Sequence, residues 1–213
     1  MSKAGIIFDM DGTLWDSAIQ VAESWNEAVK KHGYDREPLS ADDMQAVMGK
    51  PMDELSRILF PDVTDEKRAK MLAVCGQEEN EYLRVHGGTL YPKLKETLEK
   101  LKEKYHLYIV SNCQSGYIEA FLDYYQFHYL FEDFECYGNN ELSKGENIAL
   151  VCRRNELDQA VYVGDIQADY DASRQAGIAF IHAAYGFGTI NDTVPKIDCF
   201  AQMTEMAGLV FGE

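Results

Sequence analysis

The 213-residue sequence predicts an α/β fold, in which a parallel sheet core is interrupted by an all-helical block. Three observations point there. Apolar runs of strand length, "GIIF", "LYIVS", "AVYVG" and "IAFIHA", alternate with helical stretches. Such runs belong to strands covered on both faces by helices. Between residues 17 and 86 no such run occurs, and the apolar residues recur at helical spacing. Finally, polar residues follow three of the runs directly, at the strand ends where open parallel sheets bind ligands.

The elements follow in order. Gly5 to Phe8 reads as the first strand. Ser17 is placed to cap a helix carrying Ala18, Val21, Ala22, Trp25, Ala28 and Val29, with Gly33 at its end. Ser40 is placed to cap a short helix with Met44, Val47 and Met48; "GKP" at Gly49–Pro51 breaks it, and a third helix follows Pro51. Thr64, Asp65 and Glu66 form a cap and acidic first turn for a longer helix through Met71, Leu72, Cys75, Tyr82 and Leu83. "HGGTLYP" (His86–Pro92) reads as a linker. Strand and helix then alternate: a helix at Leu94–Leu101, a strand at Leu107–Ser111, a helix at Ile118–Tyr125 and a weak strand near Phe134–Tyr137. Ser143 opens the next helix, and Ala160–Gly164 is a strand. Ala168, Ala172 and Ala176 form a close-packing stripe on a helix stopped by Gly177, and Ile178–Ala183 is a strand. The expected division is a core of residues 1–16 and 87–213 with a helical insertion at 17–86, hinged near Leu14–Ser17 and His86–Pro92. Such an insertion can open and close over a sheet edge.

The formal net charge of −16 argues against a nucleic-acid partner and, more weakly, against an anionic membrane surface. No apolar run has the length of a spanning helix, and no signal-peptide pattern is seen at the N-terminus, so the expected location is cytoplasmic. Five dispersed cysteines without a CxxC pair read as free, buried or semi-buried thiols.

The polar residues at the strand ends form a chemical set. Asp9 and Asp11 follow "GIIF", Ser111 and Asn112 close and follow "LYIV", and Asp165 follows "AVYVG" with Asp169 four residues on. Lys144 stands at the start of the helix after the weak strand. Asp9, Asp11 and Asp165 offer the hard oxygens that Mg²⁺ prefers, and a bound cation would offset their repulsion. Ser111, Asn112 and Lys144 offer the donors and positive charge that a phosphate needs.

These motifs resemble those of the haloacid dehalogenase superfamily. "DMDGT" is similar to its DxDGT signature, "VSN" to its second motif, Lys144 in "LSKGENI" to its third, and "GDIQAD" to the GDxxxD form of its fourth. Their order and spacing match across essentially the whole chain. The resemblance is nearest to phosphoglycolate-phosphatase-like members and implies a Rossmann-like core with a helical cap. It also implies a Mg²⁺-dependent phosphatase acting on a small phosphorylated metabolite. By that resemblance Asp9 is the nucleophile and Asp11 the general acid/base, with its backbone carbonyl reaching the metal. Ser111, Asn112 and Lys144 hold the phosphate, Asp165 ligates the metal, and Asp169 acts from behind by orienting Lys144 or a metal-bound water. Gly49 and Lys50, in the inter-helix turn of the insertion, are expected to face the substrate. Gly12 permits a tight turn and Thr13 braces it. Trp15 and Trp25 are expected as packing residues, Trp15 at the hinge. Dehalogenating members lack an aspartate matching Asp11, so Asp11 favours phosphoryl transfer. The alternatives are a phosphomutase of the β-phosphoglucomutase type, whose cap turn carries an arginine where Lys50 stands, and a non-catalytic phosphate binder. A monomer or weak dimer is expected.

Overall fold

The computed structural model describes residues 3–34 and 36–212. The chain opens with strand β1 (Ala4–Phe8) and a two-residue strand β2 (Trp15–Asp16). Four helices follow, α1 (Ala18–Lys31), α2 (Ala41–Gln45), α3 (Met52–Leu59) and α4 (Asp65–His86). Strand β3 (Thr89–Leu90) then pairs antiparallel with β2, Trp15 opposite Leu90. The rest alternates: α5 (Leu94–Lys102), β4 (His106–Ser111), α6 (Tyr117–Tyr125), β5 (Asp133–Cys136), α7 (Tyr137–Asn140) and α8 (Lys144–Arg154). After these come β6 (Gln159–Gly164), α9 (Gln167–Ala176), β7 (Ala179–Ala183), β8 (Lys196–Ile197) and α10 (Met203–Phe211).

Six strands form one sheet in the order β5-β4-β1-β6-β7-β8, parallel throughout. From β1 the chain builds outward through β4 to β5, then crosses back through α8 to place β6 on the other side of β1. The order therefore reverses at β1, which puts the ligand crevice of an open α/β sheet at the ends of β4, β1 and β6. Alternation along β1 divides the core. Ile6 and Phe8 join the cluster continuous with the helical insertion, whereas Ile7 packs with Tyr108, Val110, Tyr162 and Ile148 on the opposite face.

The two connections between sheet and helices pair as the β2–β3 ribbon, where a plain linker is expected from the sequence. Gly88 makes this possible, because a Cβ there would crowd the Trp15 ring and the Asp16 carbonyl. Ser40 and Ser143 cap α2 and α8 as expected, each in a reciprocal box, with Asp43 and Glu146 respectively. Ser17 occupies the cap position of α1 but makes no capping bond, since its hydroxyl is used in the site described below. The expected alanine stripe on α9 is not the buried one: Ala168 is exposed, and the inward side carries Asp169, Ala172 and Ser173. Among the five free cysteines, Cys199 is exposed, contrary to expectation. No helix among the described residues is long and apolar enough to cross a membrane.

Candidate active site

β1 delivers Asp9 to the crevice still hydrogen-bonded as a strand, its N–H donating to the Val163 carbonyl at 2.9 Å. The chain then turns sharply. The N–H groups of Thr13 and Leu14 both donate to the Met10 carbonyl. Gly12 adopts φ +80°, and a Cβ there would strike the Asp165 carboxylate, so only glycine fits. The expected brace from Thr13 comes from its backbone, whose carbonyl accepts from the Tyr185 hydroxyl at 2.8 Å. The Thr13 hydroxyl is buried with no partner among the described residues.

One ammonium links the motifs. Lys144 Nζ donates to Asp9 Oδ1 at 3.0 Å and to Asp169 Oδ1 at 2.6 Å, with all three side chains at most 4% exposed. Burial alone would lower the lysine, but Asp169 and then Asp9 outweigh it and hold Lys144 charged, above its usual range. The other oxygen of Asp169 accepts the backbone N–H groups of Asp165 and Ile166 at 3.0 and 3.2 Å. Asp169 therefore fixes Lys144 and the loop carrying Asp165 together. The Phe187 N–H donates to Asp165 Oδ2 at 2.7 Å and orients that carboxylate.

Asp9, Asp165 and Asp169 each present a carboxylate oxygen within 4.8 Å of the others. Burial raises Asp9 to about 7, with Lys144 opposing and Asp169 adding to the shift. Burial also pushes Asp165 well above the carboxylate range, with Asp169 and Asp9 adding to it. A buried set of hard oxygens with one ammonium between them is under-compensated, which fits a divalent cation held by Asp9 and Asp165. Asp11 is expected to reach the metal through its backbone carbonyl, and its carboxylate lies outside this group. It turns instead to Ser17 and Tyr117. Asp169 brings an oxygen within reach, but both of its oxygens are already engaged, one by Lys144 and one by backbone.

Asp11 Oδ1 accepts from Ser17 Oγ and from Tyr117 Oη, each at 2.7 Å, and those two hydroxyls lie 2.8 Å apart. Two hydroxyl protons serve at most two of these three contacts. The triangle is fully satisfied only with a proton on Asp11 as well. Burial raises Asp11 to about 6 while the two hydroxyl bonds pull it down. The adjacent aspartates thus differ in kind: Asp9 faces a fixed ammonium, and Asp11 faces two neutral hydroxyls.

Above this floor lies a cavity of about 40 Å³, closed by the helical insertion. Asp11, Ser111, Asn112 and Tyr117 line it from the sheet side, and Gly49, Lys50, Trp25 and Glu79 from the helices. The Asn112 side-chain amide donates to the Gly49 carbonyl at 3.0 Å, a direct bond between the second motif and the inter-helix turn. Gly49 takes φ +81° against the Ile166 side chain. Lys50 lies at the rim with its ammonium 2.6 Å from Glu54. Trp15 is buried against Tyr117, Phe121 and Tyr125 and is not among the lining residues. Trp25, expected only to pack, lines the cavity and donates its indole N–H to Glu79.

Sequence reasoning missed Ser17 as a partner of Asp11, and it missed Tyr117 and Glu79 altogether. Glu79 carried a signal. Met71, Cys75, Glu79 and Leu83 are spaced by four and all buried, so one carboxylate interrupts an apolar stripe. Tyr117, first residue of α6, carried none.

Residues 6–183 match the family model for haloacid dehalogenase-like hydrolase. A phosphoglycolate phosphatase from Aliivibrio fischeri is 28% identical over 208 residues, covering 90% of both chains. One from Aquifex aeolicus is 29% identical over 196 residues, covering 89% of both. Among solved structures, one described as a predicted phosphoglycolate phosphatase from Haemophilus somnus superposes with a TM-score of 0.80 at 26% identity, covering 95% of this chain and 96% of that one. With the four motifs gathered at one sheet edge and the family model spanning most of the sequence, the chain belongs to the haloacid dehalogenase-like hydrolases, and its enzyme class is that of the phosphoric monoester hydrolases.

Proposed function

We propose that the protein is a Mg²⁺-dependent phosphatase that hydrolyses a small phosphate monoester, such as phosphoglycolate or a sugar phosphate, through a phosphoryl group carried on Asp9. The observation that carries this reading is the difference in partners between Asp9 and Asp11, two carboxylates two residues apart: Asp9 is ion-paired with Lys144 at 3.0 Å, whereas Asp11 meets only the neutral hydroxyls of Ser17 and Tyr117.

Asp9, held by Lys144, attacks phosphorus as the carboxylate, and the bond from phosphorus to the ester oxygen breaks. Asp11, with its raised pKa, gives its proton to the departing oxygen, so the product leaves as a neutral alcohol. In the second half Asp11, now a carboxylate, takes a proton from water as that water attacks phosphorus. The bond to Asp9 then breaks and frees inorganic phosphate. Ser17 and Tyr117 keep Asp11 aligned through both transfers. Ser111, Asn112 and Lys144 hold the phosphate oxygens that do not react. Mg²⁺ bound by Asp9 and Asp165, with the Asp11 backbone carbonyl, would spread the charge that develops on the phosphoryl oxygens. Residues 17–86 serve as a cap that excludes bulk water and large substrates.

The test is phosphate release from a panel of small phosphate esters, with Mg²⁺ and then with EDTA. Metal-dependent turnover that Asp9→Asn abolishes, with a loss of roughly 10⁴-fold or more, is the expected result. Full hydrolysis by Asp9→Asn would remove Asp9 as nucleophile, and an absence of metal-dependent turnover on the whole panel would overturn the reading.

A further inference from the structure

Glu79 takes no part in the reaction above, yet it lies against the substrate cavity. It projects from α4 with only 4% of its surface exposed, and the lining around it on the helical side is largely apolar, including Val21, Met44, Met48 and Leu55. Its neighbours along the helix, Cys75 and Leu83, pack into the core, so an apolar residue at this position would complete the stripe. Its carboxylate accepts from Trp25 Nε1, and the Gln114 side chain lines the same cavity. Gln114 in turn donates to Asn80 Oδ1 at 3.1 Å, and Asn80 donates to the Ser115 carbonyl at 2.8 Å. The orientation of Glu79 is thus set from the helical side by Trp25. No cation among the described residues pairs with it.

We propose that Glu79 is a specificity-determining residue that accepts a hydrogen bond from a hydroxyl or ammonium on the organic part of the substrate and disfavours esters carrying a second anion there. This rests on the phosphatase reading and narrows its substrate class. An organic group that fills the cavity beside Asp11 meets Glu79 at the helical wall. The only lysine in the lining, Lys50, is already bound to Glu54 at the rim, so no free ammonium waits for a substrate carboxylate. A carboxylate entering here meets the ionised form of Glu79 without a compensating partner, and such like-charge juxtaposition costs several kcal/mol. A hydroxyl or ammonium instead gives a buried carboxylate a further donor. Sites built to hydrogen-bond a substrate group reject analogues that lack it more strongly than apolar pockets do. Burial raises Glu79 to about 7, with Trp25 and Gln114 pulling it down, so a substrate donor adds to what favours its ionised form.

The test uses three esters with the same two-carbon frame: 2-hydroxyethyl phosphate, phosphoethanolamine and phosphoglycolate. The wild-type protein with Mg²⁺ is expected to show a kcat/KM for the first two that is about tenfold or more above that for phosphoglycolate. Glu79→Gln is expected to shrink this ratio by about tenfold, mainly through a lower KM for phosphoglycolate. A ratio taken within one preparation does not depend on how much of the variant is folded. Wild-type preference for phosphoglycolate, or a ratio unchanged in Glu79→Gln, overturns the proposal. Acetyl phosphate, whose acetyl group carries neither a hydrogen-bond donor nor a second anion to meet Glu79, separates the two readings. If it and all three esters go unhydrolysed, the phosphatase reading fails and this inference with it. If turnover is robust but phosphoglycolate is preferred, only the role of Glu79 fails.

Discussion

On the sheet side of the cavity, Asp9, Lys144, Asp165 and Asp169 are at most 5% exposed, and each is held by another of the four or by a backbone N–H. On the helical side, the Gly49–Lys50 turn is partly exposed and the lining is rich in methionine, with Met44, Met48 and Met52 contributing. Methionine is unbranched and adaptable, and it accommodates ligands of varied shape. The sheet side therefore fixes where phosphorus and the nucleophile meet, and the helical side decides what may be attached to the phosphate. Breaking the first should cost structure and chemistry together, whereas changing the second should redistribute substrates at little cost in stability.

Lys144→Met is the strongest test of the sheet side. The side chain keeps its bulk but leaves Asp9 and Asp169 facing each other without a cation. Breaking a buried ion pair from one side costs about 3–5 kcal/mol, which is a fall in Tm of about 10 °C for a chain of this size. Phosphatase activity should fall by about 100-fold or more. Calorimetry and kcat/KM on one generic ester check both. A variant with unchanged Tm would mean that the carboxylates take up protons freely and that Lys144 serves the substrate alone.

Glu79→Gln brings the same physics to the helical side with the opposite sign. Burial raises the Glu79 carboxyl to about 7 from its ordinary 4.5, so between those values the native protein binds more protons than the unfolded chain. Stability then falls as pH rises through that window, by about 3 kcal/mol in total. Glutamine cannot ionise and can still accept from Trp25. The Tm of Glu79→Gln minus that of wild type should therefore rise by about 8 °C between pH 5 and pH 8. The measurement is made in EDTA, so that metal binding does not add its own pH dependence. A difference that stays flat would place the Glu79 titration near that of an ordinary carboxylate.

The same division explains what the sequence made legible. Asp9, Ser111, Asn112 and Asp165 could be located because each closes or directly follows an apolar strand, and a parallel sheet brings such ends to one edge whatever the side-chain packing. Lys144 needed more, since the crossover by α8 brings it back to Asp9 across 135 residues, and only motif order pointed to it. Ser17 looked like a helix cap because serine before an amphipathic run usually is one. Its hydroxyl went to Asp11 because α6 places Tyr117 beside both, a tertiary fact with no local trace. Glu79 sits in a run of five acids and amides, Gln77 to Glu81, in which Glu78 is bound by surface Lys31. Only helical phase separates the two, and a single charged residue in an apolar stripe is easily taken for a solvated one. Strand β8 and helix α10 went unassigned because the tail has few strong strand-forming runs, and their place depends on packing against α5 and β7.

Asn112→Ala probes the seam between the two sides. It removes the bond to the Gly49 carbonyl, the one polar link described between the second motif and the inter-helix turn. The expected cost is about 1 kcal/mol of stability. Because Asn112 is also proposed to hold the phosphate, KM should rise more than tenfold while kcat changes less. Equal loss in both would assign Asn112 to the transition state, and no effect on KM would confine it to joining cap and core.

The smallest effect is expected at Lys50, the cationic residue of the helical lining. Its ammonium and Glu54 form an i,i+4 pair at 2.6 Å, with side chains 36% and 51% exposed. Exposed pairs contribute about 0.2–1 kcal/mol, and Lys50 lies in the turn before α3, so no helical spacing adds to this one. Lys50→Ala should leave Tm within about 2 °C and kcat/KM for uncharged esters within about threefold, because the ammonium is already committed at the rim. The informative substrate is phosphoglycolate. If Lys50 stays with Glu54 during turnover, its loss leaves discrimination against the carboxylate unchanged, and Glu79 alone sets it. A tenfold fall confined to phosphoglycolate would mean that Lys50 leaves Glu54 to meet the second anion. The helical side would then read charge with two residues of opposite sign.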